Sequence, residues 1–338
     1  YRGQLVSLYQ LAVTVGFLAA YVVNYLLLNF SHTGHFANSW LQLIFVGEVW
    51  RGMLGMEGLP ALFFLVILFL IPESPRWLIT QNKDGRAAVI FGKIYIRKED
   101  VEKQVADTKS TIAGEQKSEW KQLLSPGILK AVVIGVCIAI LGQFMGVNAV
   151  LYYGPSMFKD AGMSDPLFCQ VLVGLVNMLT TVLATFIIDR VGRHKLIYYG
   201  VSGMIVCLIM IAVYFAFHES WGLSVWFMLT FFLLYVFCCA VSISAVVFVL
   251  LSEMYPNSVR GLAMSIAGFA LWIGTYLIGQ LTPWMLETLQ PTGTFLLFAV
   301  MCVPYILIMW RCVPETAGMS LEDIERYWNR QGSKQDNK

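Results

Sequence analysis

The sequence predicts an all-α polytopic membrane protein, and three observations lead to this fold class. The 338 residues are 58% hydrophobic and only 13% charged, which is far from the balance of soluble domains. Eight apolar stretches are long enough to cross a bilayer, because a hydrocarbon layer about 30 Å thick needs roughly 20 helical residues. Within these stretches Glu57 is the single Asp, Glu, Lys or Arg. The remaining charges therefore fall in the connections, as expected when a charge in hydrocarbon costs at least about 2.5 kcal/mol.

The predicted spans form a group of two and a group of six. They cover residues 5–28, 52–71, 131–153, 166–188, 196–217, 224–250, 262–286 and 294–310. Between the groups, residues 72–130 are rich in charge and carry apolar residues at helical spacing. This pattern predicts short amphipathic helices at a membrane surface, and a flexible linker is the alternative.

Lys and Arg collect on one side of the predicted topology. If residue 1 is cytoplasmic, 21 of the 23 basic residues lie inside, and only Arg51 and Lys159 lie outside. Cytoplasmic loops retain basic residues during insertion, so we expect both ends in the cytoplasm and the protein in the plasma membrane or cell inner membrane. The net charge of +2 gives no reason to expect a nucleic-acid partner.

An internal repeat joins the beginning and the end of the chain. RGQLVSLYQLAVTVG at residue 2 matches RGLAMSIAGFALWIG with a constant offset of 258, and PES at residue 72 matches PET at residue 314. Parallel repeats of this kind are typical of two-bundle transporters. Four spans precede the second copy and none precedes the first, so we expect four further spans before residue 1 and twelve in total. The predicted domains are the last two helices of a first bundle (1–71), a cytoplasmic helical linker (72–130), a six-helix bundle (131–312) and a cytoplasmic tail (313–338).

Acidic and basic residues lie in pairs at the predicted inner ends of the spans. DRVGRHKL at residue 189, LLSEMYPNSVRG at residue 250 and PESPRWL at residue 72 each carry both signs of charge. Such residues can form a cytoplasmic ion-pair lattice that holds one access state closed. The alternative is that these charges only anchor the spans at the interface. The predicted gating residues are Glu73, Arg76, Asp189, Arg193, Glu253, Arg260 and Glu315.

These strings, with the E-x-x-P-x-x-x-R-G run and the final PETAG, resemble the sugar porter family of the major facilitator superfamily. The resemblance covers nearly the whole chain and implies the fifth to twelfth helices of a twelve-helix fold. It implies proton-linked import of a monosaccharide or polyol by alternating access. Facilitated diffusion is the alternative to symport at this point, because the family's coupling carboxylate lies in the first helix. His194 departs from the pattern by standing where the family has arginine.

Polar groups inside the spans are the candidates for binding a sugar, which needs many hydrogen bonds and an aromatic face. The run GQFMGVNAVLYY is the richest, because Gly142 and Gly146 allow a helix break and Asn148 and Tyr152 share one face. Amides that merely bridge helices are the alternative. By resemblance, the substrate-binding residues are Gln10, Gln143, Asn148, Tyr152, Asn177, Trp272 and Phe248, the last standing where the family has tryptophan.

Three departures make the predicted pocket less polar than that of a standard sugar porter, so the sequence does not predict which sugar binds. They are Gly142, the SAVVF run containing Ser244, Ala245 and Phe248, and Leu271. A sugar-binding membrane sensor of the same fold is the alternative function. An enzyme is not expected, since no nucleophile, metal cluster or phosphate loop lies beside a cavity-lining segment. We expect no cofactor or metal, a monomer, and the lipid bilayer as the surrounding partner.

Overall fold

The computed structural model describes residues 2–95, 97–115, 122–256, 259–315, 324 and 326–328. Side chains at 2–9, 111–115, 189 and 190 lie outside that description, and this includes the side chain of the predicted gating residue Asp189. The described residues form helices joined by turns and short irregular connections, and eight helical segments are long and apolar enough to cross a membrane. The predicted fold class and number of spans are therefore confirmed for this part of the chain.

The first part of the chain contains two of these segments and a set of shorter helices. The helices are α1 (Arg2–Thr33), α2 (Ser39–Gln42), α3 (Val49–Met56), α4 (Gly58–Leu68), α5 (Pro75–Thr80), α6 (Asp84–Phe91) and α7 (Lys98–Glu115), with a π-helical turn at Leu43–Gly47. The second predicted span is interrupted between α3 and α4 at Glu57, its one charged residue. The helical interpretation of the charged stretch is confirmed for α5 to α7.

The second part of the chain contains the other six segments. The helices are α8 (Pro126–Phe144), α9 (Val147–Asp160), α10 (Pro166–Val191), α11 (Arg193–Trp221), α12 (Val225–Cys239), α13 (Ala245–Met254), α14 (Arg260–Thr288) and α15 (Gln290–Cys312). A π-helical turn at Ala240–Ser244 separates α12 from α13. Prolines occupy the first turns of α8 and α10, where a missing N–H breaks no helical hydrogen bond.

Two compact units make up the described chain, residues 35–123 and residues 1–34 with 124–338. In the smaller unit Leu78, Ile79 and Ala87 form a buried cluster beneath α7. The ion pair between Lys109 Nζ and Asp84 Oδ2, at 2.6 Å, joins α6 to α7. These contacts explain why the amphipathic stretch folds, while the domain limits given by the sequence stay a prediction.

In the larger unit, α1 packs along α10, α14 packs along α8, and α11 lies against α12 and α15. Small residues permit these close approaches. A Cβ at Gly200 in α11 would overlap the Ser242 side chain, and a Cβ at Gly203 would lie 2.7 Å from Cys238 Sγ. Close approach through small residues is the usual way in which membrane helices associate, because lipid provides no hydrophobic drive between them.

The third span is broken in the middle, between α8 and α9. Gly146 has φ 92° and ψ 7°, a left-handed conformation that other residues adopt only at a cost. A Cβ at this position would also overlap the Phe298 ring. Gly142 instead lies inside α8, where it is buried near Ile243 and Tyr305. The predicted break is therefore present at Gly146, and Gly142 serves helix packing.

Candidate functional site

A polar cluster lies directly at this helix break. Gln143, in the last turn of α8, is buried, and its Oε1 accepts a hydrogen bond of 2.6 Å from Asn148 Nδ2 in the first turn of α9. The same oxygen accepts a bond of 3.1 Å from Thr275 Oγ1 on α14. Gly146, in its left-handed conformation, lies between the two amides, after the end of α8 and before the first turn of α9. The break thus builds a hydrogen-bonding surface inside an apolar helix bundle.

Gly274 allows α14 to approach this cluster closely. A Cβ at that position would lie 3.1 Å from Gln143 Cγ, which is tighter than ordinary packing. The next residue, Thr275, has one hydroxyl proton, which is shared between Gln143 Oε1 and the Leu271 carbonyl of its own helix, the latter at 3.0 Å. Thr275 was not predicted from the sequence. The available signal was its position three residues after Trp272, on the same side of a helix.

Three aromatic rings predicted to bind sugar are accessible in the larger unit. The exposed fractions are 46% for Tyr152, 65% for Trp272 and 43% for Phe248. Tyr152 lies one helical turn beyond Asn148 on α9, and Trp272 lies one turn before Thr275 on α14. Both rings therefore lie within a turn of the polar cluster along their helices, as stacking on a bound sugar would require.

The other two predicted amide contacts lie on α10 and α1. Asn177 is buried on α10, where its carbonyl accepts a hydrogen bond of 2.8 Å from Thr181 Oγ1. Gln10 is half-buried on α1. Hydrogen bonds among the described residues do not connect either side chain to Gln143 or Asn148. Their roles stay predictions from family resemblance.

The departures from the family pattern fall at positions of different exposure. Gly142 and Leu271 are buried, whereas Ser244 and Ala245 are half-buried at the π-helical turn. Ser244 Oγ lies 3.8 Å from Cys239 Sγ. Gly142 and Leu271, the two positions at which the family has an amide, are therefore buried by packing, whereas Trp272 is accessible.

One predicted gating pair is formed in the structure. Arg193 Nη2 at the start of α11 donates a hydrogen bond of 2.9 Å to Glu253 Oε1 near the end of α13. The two side chains are only 14% and 24% exposed, so water screens their attraction less than at an open surface. Arg260 does not extend this pair, since its Nε and Nη2 both donate to the Tyr255 carbonyl at 3.3 Å.

The remaining predicted gating residues have other surroundings. In the smaller unit Glu73 pairs with Arg86 at 3.7 Å, and Arg76 lies in the first turn of α5. Glu315 is exposed and follows Pro314, whose carbonyl lies 3.1 Å from His194 Nε2. That histidine nitrogen must donate, because a carbonyl only accepts. His194 thus ties the start of α11 to the segment after α15.

Comparison with known proteins identifies the family. A family model described as "Sugar (and other) transporter" matches residues 1–328. The chain belongs to this family. It is 35% identical to the arabinose-proton symporter of Bacillus subtilis, over 97% of this chain and 68% of the relative. It is also 35% identical to the D-xylose-proton symporter of Escherichia coli, over 98% of this chain and 66% of the relative.

A solved structure shares the fold. The inward-open xylose transporter XylE from E. coli matches with a TM-score of 0.75 and 32% identity, over 97% of this chain and 66% of that one. The chain spans about two thirds of the length of these relatives. The expected membership of the sugar porters is therefore confirmed, and the eight described spans belong to a major facilitator fold.

In this sugar transporter chain, the residues that could hold a ligand are amides, hydroxyls and rings. Among the described residues, no group of three or more His, Cys, Asp or Glu side chains could hold a metal ion. A cavity of about 410 Å³ lies between α1, α9 and α10, where Asn29, His32, Lys159 and Asp165 contribute polar groups. The polar cluster at the helix break is thus suited to uncharged hydroxylated ligands.

Proposed function

We propose that the protein is a secondary transporter that imports a monosaccharide or a related polyol by alternating access, linked to protons and without any covalent step. The observation that carries this proposal is the cluster of Gln143, Asn148 and Thr275 at a helix break, in a member of the sugar transporter family. Sugar hydroxyls both donate and accept hydrogen bonds, and amide side chains complement both properties. The accessible Tyr152 and Trp272 rings offer faces for the apolar side of a sugar ring.

The coupling to protons is supported by the relatives. The relatives that match this chain include an arabinose-proton symporter and a D-xylose-proton symporter. We extend proton-linked import to this protein on that basis. The protein then acts as a monomer in the plasma or inner membrane, with both ends of this chain in the cytoplasm, as its basic residues favour.

In this proposal, the ion pair between Arg193 and Glu253 forms part of the gate on the cytoplasmic side. The pair links the start of α11 to the end of α13, at the side of the membrane that the basic residues assign to the cytoplasm. An ion pair that exists in one access state alone shifts the equilibrium between the states without contacting the sugar. The gating roles of Glu73, Arg76, Asp189, Arg260 and Glu315 stay predictions from the sequence.

Uptake into proteoliposomes containing the full-length protein tests this function. D-Xylose, L-arabinose and D-glucose are supplied with and without a gradient of one pH unit, acidic outside. With one proton per sugar, that gradient drives about tenfold accumulation, because one pH unit corresponds to about 1.4 kcal/mol. Equilibration without accumulation would contradict the proton linkage, and the absence of saturable uptake would contradict the sugar assignment. Protein-free liposomes and a protonophore are the controls.

A further inference from the structure

A proline exposes a backbone carbonyl in the outer half of the broken span. Pro155 lies inside α9 and has no N–H, so the carbonyl of Leu151 lacks the donor that an α-helix normally supplies four residues later. A carbonyl buried in an apolar bundle needs a partner, because water is not available to replace it. The side chains that bond this carbonyl are therefore informative.

Two side chains from other helices supply the missing hydrogen bonds. Tyr21 Oη on α1 donates to the Leu151 carbonyl at 2.8 Å, and Gln170 Nε2 on α10 donates to the same oxygen at 3.0 Å. A carbonyl oxygen has two lone pairs, so both bonds can exist together. The freed carbonyl thus joins three helices at one atom.

The surroundings are shaped to admit these two donors. Gln170 is 1% exposed, and a Cβ at Gly154 would overlap its Oε1. A Cβ at Gly174 would lie 2.7 Å from Tyr21 Cδ2. Among the described residues, Gln170 Oε1 is buried without a hydrogen-bond partner, which costs free energy. A residue of similar shape without an amide would avoid that cost. The presence of glutamine at position 170 is therefore explained by the hydrogen bond that its Nε2 donates to Leu151.

Further along the same helices, α9 separates from α1. The cavity of about 410 Å³ opens between them and is lined by Asn29 on α1 and by Ser156 and Lys159 on α9. Continuous apolar packing therefore does not hold these two helices together at that level. The hydrogen bonds to the Leu151 carbonyl lie one turn before this cavity along α9, and they hold α9 against α1 and α10.

We propose that Tyr21 and Gln170 are positioning residues for the sugar site, acting through the Leu151 carbonyl. Because α9 begins at the Gly146 break, the orientation of α9 is not fixed by the direction of α8 alone. Leu151 lies three residues after Asn148, so fixing its carbonyl also fixes the amide that contacts Gln143. This inference rests on the proposed sugar-binding function and adds two residues that do not themselves need to touch the sugar.

Single variants provide the first test. Tyr21→Phe and Gln170→Met each remove one donor, and Gly154→Ala displaces Gln170 without removing it. Each should weaken sugar binding about three- to tenfold, the loss that corresponds to one net hydrogen bond. Tyr214→Phe is the matched control, because Tyr214 is another buried tyrosine that donates to a carbonyl, that of Ala161 at 3.1 Å. The control should change affinity less than about twofold.

A double-mutant cycle with Pro155→Ala separates this mechanism from simple packing. Alanine at 155 restores a backbone N–H that can donate to Leu151, so the carbonyl no longer depends on Gln170. We therefore expect Gln170→Met to change affinity less than about twofold in the Pro155→Ala background, although it is costly alone. A purely structural role of Gln170 would give the same loss in both backgrounds and would overturn the proposal.

The measurement is calorimetric binding of D-xylose, L-arabinose and D-glucose to the purified full-length protein, with each variant checked for equal abundance and a single elution peak. If the parent binds a sugar and both donor variants bind it equally well, the positioning role is wrong while the proposed function stands. If the parent binds none of the three sugars, both the sugar assignment and the positioning role are overturned. Loss of binding in the donor variants, cancelled by Pro155→Ala, supports the proposal.

Discussion

Replacing Gly146 with alanine should destabilise the protein by about 2–5 kcal/mol, because two penalties act at this residue. The left-handed backbone, with φ 92°, costs a residue with a Cβ about 1–2 kcal/mol. The new methyl group would also overlap the Phe298 ring, and overpacking of this kind costs about 1–3 kcal/mol. The midpoint of thermal unfolding in detergent should therefore fall clearly, and sugar affinity should fall with it, since the break holds Asn148 beside Gln143.

Gly142→Ala is the matched control for this prediction. Gly142 lies only four residues earlier, but within α8, where an added Cβ would make ordinary contacts of 3.6 Å to Ile243 and 3.8 Å to Tyr305. Alanine is favoured over glycine inside a helix by about 1 kcal/mol, so this variant should be as stable as the parent or more stable. Equal unfolding midpoints for Gly146→Ala and the parent would refute the reasoning about the break.

Three further predictions follow from the described contacts. Arg193→Ala or Glu253→Gln should slow transport at saturating sugar while leaving the equilibrium affinity for sugar within about twofold of the parent. Lys195→Ala should slow transport less. A large loss of affinity at an unchanged transport rate would mean that the pair binds sugar. Thr275→Val should weaken sugar binding about two- to tenfold by calorimetry, because it removes a donor to Gln143, and unchanged affinity would exclude Thr275 from the site. Tyr255→Phe should leave the unfolding midpoint unchanged or raised, because the buried hydroxyl has no hydrogen-bond partner among the described residues, and a marked fall would contradict this.

Burial also raises the pKa of the Tyr255 phenol above its ordinary value. Because this group is an acid, the unfolded chain loses the proton first as the pH rises through about 10. This phenol therefore leaves stability independent of pH below that value, and it lowers stability as the pH rises above it. Comparison of unfolding midpoints for the parent and Tyr255→Phe between about pH 8 and 11 should show the parent losing more stability in the alkaline range. Parallel curves would contradict this assignment.

The spans could be predicted from the sequence because hydropathy is a local property that needs no tertiary information. The interruptions could be predicted only where a residue demands one. Gly146 signals its break by lacking a side chain, but Gly142 carries the same signal and lies in a regular helix. What separates the two glycines is their neighbours, Phe298 for one and Ile243 with Tyr305 for the other, and these come from distant parts of the chain.

The candidate site shows the same division between local and distant information. Gln143 and Asn148 are five residues apart, so their association could be inferred from one helix and its break. Thr275 reaches Gln143 across 132 residues, through packing that Gly274 permits. Its position one turn after Trp272 places it on the same side of α14 but does not indicate which residue it contacts. The bonds to the Leu151 carbonyl were missed for a related reason, because a backbone acceptor leaves no mark on the side-chain pattern apart from the proline four residues later.

The most direct test of the central claim is sugar binding by Asn148→Ala. Asn148 donates the hydrogen bond that closes the cluster at the helix break, and each net hydrogen bond to a sugar hydroxyl contributes about 0.5–1.5 kcal/mol. Calorimetry on the full-length protein should therefore show affinity for its preferred sugar falling about three- to tenfold or more, with unchanged abundance. Ser265→Ala, which removes only a bond within α14 to the Gly261 carbonyl, should bind as the parent does. If Asn148→Ala bound D-xylose, L-arabinose and D-glucose as tightly as the parent, the sugar site would not lie at this break.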